Sequence, residues 1–424
     1  MKKSKGIGIR TASLLLFILL VTGGVAAAAR IVRRTDSEYK YLPFFKDDTE
    51  YDVIFYGTSH VLNAVHPMQL WKDHRITSYN FGGHANSIAA AYWTLRLSTV
   101  YHKPKVAVLD MKGAAWDDTI MTVNYAHLSF DCFPLSLLKI QAICDIFPQM
   151  KHRIEILFPF SIYHNRWHEP LPEGIAALWK APGATPEKGA ELRVALAEPD
   201  TKKRIRENRK SAEENVSMQY VRKFISYCRE TGITPLLINI PYPTGKKEQK
   251  AANKIADIAQ ETDTAYINMQ YLDVVDFETD MYDPDSHLNA SGARKVTEYI
   301  GKYLADTIGL GHDGSYEGNA AWEQAQEAYE LYLEELMRQQ ELTQNIIVLL
   351  SNPYFSAEVE LADDAQLSAP CRKLLSEMGE RLSVRYTGSV GEESGVHFRI
   401  FAAEDHRLIC EKDGKNEEGE GDQL

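Results

Sequence analysis

The sequence predicts an α/β protein with an N-terminal transmembrane helix, a parallel sheet flanked by helices, and a small C-terminal α/β domain. Three observations predict this class. An uncharged, apolar run of about 19 residues follows a basic N-terminus. Short, continuously apolar runs, typical of buried parallel strands, alternate with helical patterns between residues 52 and 310. A glycine-rich stretch then precedes a second series of helix and strand patterns.

The N-terminal apolar run, Thr11 to Ala29, is long enough to cross the ~30 Å hydrocarbon layer of a bilayer as a helix. Basic residues are more numerous before it than after it, which favours a cytoplasmic N-terminus. The small residues Gly24 to Ala29 leave a cleaved signal peptide as the alternative, but the run is long for a signal-peptide core. We therefore expect a single-pass anchor in the cell membrane, with the bulk of the chain extracytoplasmic.

The same patterns predict the domain boundaries. Residues 1–34 form a cytoplasmic tip and anchor, 35–51 a tether, 52–310 the main domain with a helical insertion at about 117–216, 311–343 a linker and helix, 344–411 the small α/β domain, and 412–424 a disordered tail. The apolar run Gln344 to Ser351 is interpreted as a buried strand of the small domain.

Charge and cysteine content exclude several function classes. The formal net charge is -12 and the pI is about 5.6, so we expect no nucleic-acid partner. The five cysteines are scattered without any C-x-x-C pair, which predicts neither a zinc site nor a disulfide framework.

Residues typical of nucleophilic catalysis follow the first and last strands of the predicted sheet. The apolar run Val53 to Tyr56 is broken by Gly57, and Ser59 follows at the carboxyl edge of the sheet. Far downstream, an Asp-rich loop ends in His287 just before a helix. A serine becomes a nucleophile when an imidazole takes its proton, and a carboxylate must orient that imidazole. Asp110 and Lys112, which follow another strand, are expected at the same edge.

Gly57-Thr58-Ser59-His60 resembles the first block of the SGNH/GDSL hydrolase superfamily, and Asp285-x-His287 resembles its last block. The variant is most similar to extracytoplasmic SGNH-like proteins such as alginate O-acetyltransferases and the teichoic-acid D-alanylation protein. The resemblance implies Ser59 as nucleophile, His287 as base and Asp285 as the residue that orients it, with Asp283 in reserve.

The resemblance also implies an activity. We expect acyl-ester transfer or hydrolysis, with acetyl as the acyl group, on a cell-envelope polysaccharide. Such proteins often work beside a membrane-bound O-acyltransferase, and the chemistry needs no metal or organic cofactor. Transferase and esterase share one triad, so both readings stay open.

Pocket residues are predicted with alternatives. By resemblance, the backbone N–H of Gly82 or Gly83 faces the oxyanion; the alternative is a turn that needs glycine for positive φ. The other pocket candidates are His60, Asn86, Asn239 and Arg166, the last of which lies in the aromatic segment 158–168. That segment is expected to form a lid or a saccharide platform or, alternatively, a helix packed on the core. The Gly-x-Asn-Asp block of the superfamily has no match here, which favours the second functional reading, a non-catalytic cell-envelope binding or assembly protein.

Overall fold

The computed structural model describes residues 2–32, 36–46, 48–158, 160–163, 175, 185–197, 206–362, 369–387 and 396–414. The chain divides into two compact units. The first comprises residues 1–46 and 120–185, and the second comprises residues 47–119 and 186–424. The insertion predicted at about 117–216 thus belongs largely to the first unit, together with the N-terminal helix.

The described helices used below are, in chain order, α1 (Lys2–Val32), α2 (Asp36–Lys46), α3 (Ser59–Ala64), α4 (Pro67–His74), α5 (Ile88–Ser98), α6 (Val123–Phe130), α7 (Leu137–Ile146), α8 (Met150–Leu157), α9 (Phe160–Tyr163), α10 (Val216–Glu230), α11 (Lys246–Glu261), α12 (Ala290–Lys302), α13 (Asn319–Gln339), α14 (Leu342–Ser351) and α15 (Ala369–Glu377). The strands are β1 (Val53–Gly57), β2 (Ser78–Gly82), β3 (Val106–Asp110), β4 (Thr234–Asn239), β5 (Ala265–Asn268), β6 (Phe355–Ala362), β7 (Leu382–Thr387), β8 (Val396–Ala402) and β9 (Leu408–Gly414).

The second unit is built around a five-stranded sheet of order β2-β1-β3-β4-β5 in which every neighbouring pair is parallel. The predicted parallel sheet flanked by helices is therefore confirmed. All residues of β1, β2 and β3 are buried, because helices cover both faces of the sheet at these strands. The order reverses direction between β1 and β3, and ligands of open α/β sheets bind at such a point.

The core beneath the sheet edge fixes the last helix. Val53, Phe55 and Val108 from the strands share one apolar cluster with Val296 and Ile300 of α12. Because α12 is held there, the loop that precedes it, residues 282–289, is carried to the same sheet edge as the end of β1.

The C-terminal region contains a second, four-stranded sheet of order β7-β6-β8-β9. It confirms an α/β region with a small sheet, but the predicted strand Gln344 to Ser351 is wrong, since this run is helix α14. Glu341 and Gln344 form a reciprocal capping box at its start, in which each side chain binds the other residue's backbone N–H. The first strand of the sheet is β6, which follows the helix.

In the first unit, α1 contains the apolar segment Ala12–Ala29, the one stretch of the described residues that is long and apolar enough to cross a membrane. Helix α2 occupies most of the segment predicted as a tether. Helices α6 to α9 lie in the insertion, which was expected to form helices of its own.

Candidate active site

Ser59 is the first residue of α3, directly beyond β1. Gly57 ends the strand with φ +150°, and a Cβ there would lie 2.9 Å from Cβ of Asp110, so only glycine fits this turn. Thr58 caps the helix, its Oγ1 accepting the His60 backbone N–H at 3.1 Å. Ser59 therefore stands at the carboxyl edge of β1, beside the point where the strand order reverses.

Helix α3 is held by Asn80 of β2, which the sequence reasoning did not single out. Its Nδ2 donates to the carbonyls of Val61 and Val65 at 2.7 and 2.8 Å, and its Oδ1 accepts the Gly82 N–H at 2.8 Å. The helix also approaches Gly82 closely, since a Cβ on that glycine would lie 2.6 Å from the backbone N of Leu62. Strand β2 thus fixes the element that carries Ser59.

The loop that carries His287 is closed at both ends. Met281 and Leu288 form a β-bridge, and the Tyr282 N–H donates to the His287 carbonyl at 2.8 Å. Asn289 caps α12, because its Oδ1 accepts the N–H groups of Ser291 and Gly292 at 3.0 and 3.2 Å. Asn289 is therefore the N-cap of the helix that follows the loop.

Ser59, His287 and Asp283 form a continuous chain of contacts. Ser59 Oγ lies 2.7 Å from Nε2 of His287. On the other side of the ring, Nδ1 of His287 contacts Oδ2 of Asp283. The structure thus places the predicted serine and the predicted imidazole in direct contact, although they lie 228 positions apart in the sequence.

Asp283, the reserve residue, takes the orienting position that the sequence assigned to Asp285. The loop turns around Asp283, whose Oδ1 accepts the N–H groups of Asp285, Ser286 and His287 at 3.1, 2.7 and 3.1 Å. This turn leaves Oδ2 of Asp283 facing the imidazole. The assignment to Asp285 is therefore corrected: its backbone N–H supports the turn, and the carboxylate on Nδ1 belongs to Asp283.

The pKa of Asp283 reflects these contacts. Partial burial raises it, but the hydrogen bonds from His287 and from the loop N–H groups outweigh burial and lower the pKa to about 2. Asp283 is therefore ionised at neutral pH, as a carboxylate that orients an imidazole must be.

A second layer of titratable groups surrounds the imidazole. The buried His60 ring lies edge-on to Tyr242 at 4.7 Å and 5.5 Å from the His287 ring, centroid to centroid. Burial, then the charges of Lys112 and His287, hold the pKa of His60 well below its usual range, so His60 is neutral. Lys112 Nζ lies 3.3 Å from the centroid of the Tyr242 ring and 3.5 Å from Oγ of Ser286.

Asp110 is the last residue of β3 and Lys112 follows the strand, at the sheet edge where the sequence predicted both residues, and both have unusual pKa values. Burial lowers the pKa of Lys112 to about 8, although Asp110 and other nearby carboxylates oppose the change. Asp110 is fully buried, and neither of its carboxylate oxygens has a hydrogen-bond partner of normal geometry among the described residues. Burial raises its pKa to about 7, and the nearby backbone N–H groups, that of Ile240 first, offset this only in part.

The two glycines predicted to donate to an oxyanion use their N–H groups elsewhere. Gly82 donates to Asn80 at 2.8 Å, and Gly83 donates to the Gly57 carbonyl at 3.1 Å. The N–H of Ser59, at the first position of α3, has no acceptor within its helix.

The other predicted pocket residues separate into three cases. Asn86 is buried and donates through Nδ2 to the Gly57 carbonyl at 3.3 Å, so it supports the turn before Ser59. Asn239, at the end of β4, donates to Oδ1 of Asn268 at 2.9 Å. Arg166 lies outside the described residues, as does most of its aromatic segment.

The arrangement has the chemical parts of an activated serine: an oxygen nucleophile, a base within hydrogen-bond reach, and an ionised carboxylate on the far ring nitrogen. No protein-family model and no curated protein sequence matches the chain.

Proposed function

We propose that this protein transfers or hydrolyses an ester-linked acyl group, most simply acetyl, on a cell-envelope polysaccharide at the outer face of a membrane. The observation that carries the proposal is the contact series from Ser59 Oγ through both nitrogens of His287 to Asp283. The alignment of a hydroxyl, an imidazole and an ionised carboxylate favours covalent acyl chemistry over other uses of a serine.

In the proposed reaction, Ser59 Oγ attacks the acyl carbonyl while Nε2 of His287 accepts the hydroxyl proton. The resulting imidazolium is stabilised by Asp283 and returns the proton to the departing alcohol or carrier oxygen, leaving an acyl-serine. An acceptor then attacks the acyl-serine and gives its proton to Nε2 of His287, which passes a proton to Ser59 Oγ as the bond between Oγ and the acyl group breaks. A sugar hydroxyl as acceptor makes the protein a transferase, and water makes it an esterase.

The proposed setting follows from α1. A helix that can cross a bilayer supports placing the site at a membrane surface, close to envelope glycans. An acyl group made available at that surface needs a membrane-bound source, and a membrane-bound O-acyltransferase is the partner we propose for the transferase reading.

A non-catalytic binding or assembly protein remains the second candidate, because one observation favours it. The N–H groups of Gly82 and Gly83 both donate within the fold, so neither glycine is left to stabilise an oxyanion, which a catalytic site must do with preorganised donors. In this reading the Ser59–His287 pair would bind a glycan hydroxyl rather than react.

The test is covalent labelling of Ser59. Full-length protein in detergent is incubated with a fluorophosphonate and, separately, with p-nitrophenyl acetate, and the modified peptide is identified by mass spectrometry. We expect an adduct on Ser59 and none in Ser59→Ala. Ser286→Ala is the matched control, since Ser286 is a neighbouring hydroxyl that contacts Lys112 instead of the imidazole.

Labelling that vanishes in Ser59→Ala and persists in Ser286→Ala supports acyl chemistry. A folded wild-type protein that takes up neither reagent, with both variants indistinguishable from it, would turn the conclusion to the binding-protein reading.

A further inference from the structure

Helix α8 in the first unit presents an apolar stripe to its surroundings. Met150, Ile154 and Phe158 are 63%, 50% and 65% exposed, and their spacing of four residues aligns them along one side of the helix and its C-cap. Ile156, on the opposite side, is fully buried. Phe160, at the start of α9, is a further exposed aromatic residue. A row of large exposed apolar side chains on consecutive turns is typical of a contact surface.

The same compact unit contains the apolar helix α1. Residues 12–27 of α1 are exposed, and Ala28, Ala29 and Ile31 are its partly buried residues among those whose burial is described. Helix α9 lies against α1, and α8 lies against α9. The partly buried residues of α1 thus lie at the end of its apolar segment, and α8 is linked to α1 through α9.

The charges beside the stripe suit a lipid surface. Lys151 follows Met150 directly and its side chain is 79% exposed, while Glu155, whose Oε1 lies 3.8 Å from Nζ of Lys151 in an ion pair, is 20% exposed. The first turn of α8 contains no acidic residue. An apolar stripe edged by an exposed lysine is the pattern of helices that lie in the headgroup region of a bilayer.

We propose that the stripe of α8, together with Phe160, lies in the headgroup–acyl boundary of the same bilayer that α1 crosses. Because α1 and α8 belong to one compact unit, a bilayer crossed by α1 is the partner that the chain itself brings to the stripe on α8. The protein is then held by a transmembrane helix and by a second, interfacial contact. This inference rests on the anchor and is independent of the proposed acyl chemistry.

The test measures lipid depth at single labelled positions in the full-length protein. Cys132, Cys144 and Cys410 are replaced by serine, leaving the two buried cysteines, and one new cysteine is introduced at position 150, 154 or 158. Each variant is labelled with an environment-sensitive NBD fluorophore and reconstituted in vesicles of phosphatidylcholine and phosphatidylglycerol. Lipids carrying a doxyl quencher near the headgroup are then compared with unmodified lipids.

The matched control is Leu331→Cys, because Leu331 is an apolar helical residue that is 62% exposed in the second unit. We expect quenching at positions 150, 154 and 158 to be at least about threefold stronger than at position 331, with blue-shifted emission. All variants must retain the circular dichroism spectrum of the parent protein.

Equal quenching at all four positions, or none at the stripe while α1 remains inserted, would overturn the proposal. Shielding of the stripe in native membranes with no quenching in pure lipid would also overturn it, in favour of a membrane protein as the occupant.

Discussion

The assignment of the orienting carboxylate gives the sharpest prediction, because substitution of Asp283 should abolish activity whereas substitution of Asp285, two residues away, should leave it nearly unchanged. In Asp283→Asn the side-chain oxygen can still accept the loop N–H groups, but the amide NH₂ faces Nδ1 of His287. The imidazole must then carry its proton on Nε2, where it points at Ser59 Oγ and cannot accept the hydroxyl proton. In Asp285→Asn the contact to the turn is a backbone N–H, which the substitution leaves intact.

The expected magnitudes differ by orders of magnitude. Loss of the correct tautomer in a serine-based site lowers kcat/KM by about 10³- to 10⁴-fold, which corresponds to about 4 to 5.5 kcal/mol of transition-state stabilisation. A substitution away from the contact chain changes stability or activity by at most about 0.5 kcal/mol, which is about twofold. We therefore expect Asp283→Asn to resemble Ser59→Ala and Asp285→Asn to resemble the wild type.

Loss of folding must be separated from loss of chemistry. Because the pKa of Asp283 is depressed from 3.8 to about 2 in the fold, its contribution to stability is present above pH 3.8 and is lost as the pH falls through 2. The carboxylate is partly exposed, so solvent screening keeps this contribution below about 2 kcal/mol. At pH 7, thermal unfolding of Asp283→Asn should shift by only a few degrees.

The assay is the rate of fluorophosphonate labelling of Ser59 at pH 7, measured for both variants beside Ser59→Ala. A slower rate in Asp285→Asn than in Asp283→Asn, in samples with matching circular dichroism, would refute the reasoning from the loop geometry. It would restore the assignment made from the sequence.

Two further substitutions test the surroundings of the site. In the wild type, burial raises the pKa of Asp110 from 3.8 to about 7, so the free energy of unfolding falls by up to about 4 kcal/mol as the pH rises between these values. Asp110→Asn should flatten this pH dependence in denaturant unfolding measured from pH 4.5 to 8. An unchanged pH dependence would contradict a desolvated carboxylate. In Gly82→Ala the new Cβ would lie 2.6 Å from the backbone N of Leu62, so we expect a loss of about 1 to 3 kcal/mol in stability and slower labelling of Ser59. The control is Gly314→Ala, where the new Cβ would have no neighbour within 4 Å. Equal stability of the two variants would show that α3 shifts freely.

Strands β1, β3 and β4 were predictable because each contains a short run of apolar residues. Buried parallel strands are covered on both faces, so the alternation that would mark an exposed strand is missing and the run itself is the signal. Ser59 and His287 were predictable for a related reason: each follows a strand end, and the carboxyl ends of parallel strands meet at one edge.

Other features depend on information that spacing does not contain. The apolar run Gln344 to Ser351 is compatible with either a buried strand or a buried helix, and the reciprocal capping box of Glu341 and Gln344 favours the helix. The choice between Asp283 and Asp285 depends on the turn around Asp283, whose one carboxylate oxygen gathers three N–H groups. The setting of Lys112 depends on Tyr242, which arrives from a loop about 130 residues away.

Asp110 also bears on the choice between a catalyst and a binding protein. Among the described residues, the buried Asp110 carboxylate has no hydrogen-bond partner of normal geometry, which lowers stability at neutral pH, and Asp110 lies against Gly57 in the turn before Ser59. Beside it, Lys112 has a pKa of about 8. Groups whose pKa values are moved toward neutrality concentrate where proton transfer or changing charge must be managed. A surface that only binds a neutral glycan needs neither group, so their presence beside Ser59 and His287 argues for chemistry at this edge of the sheet.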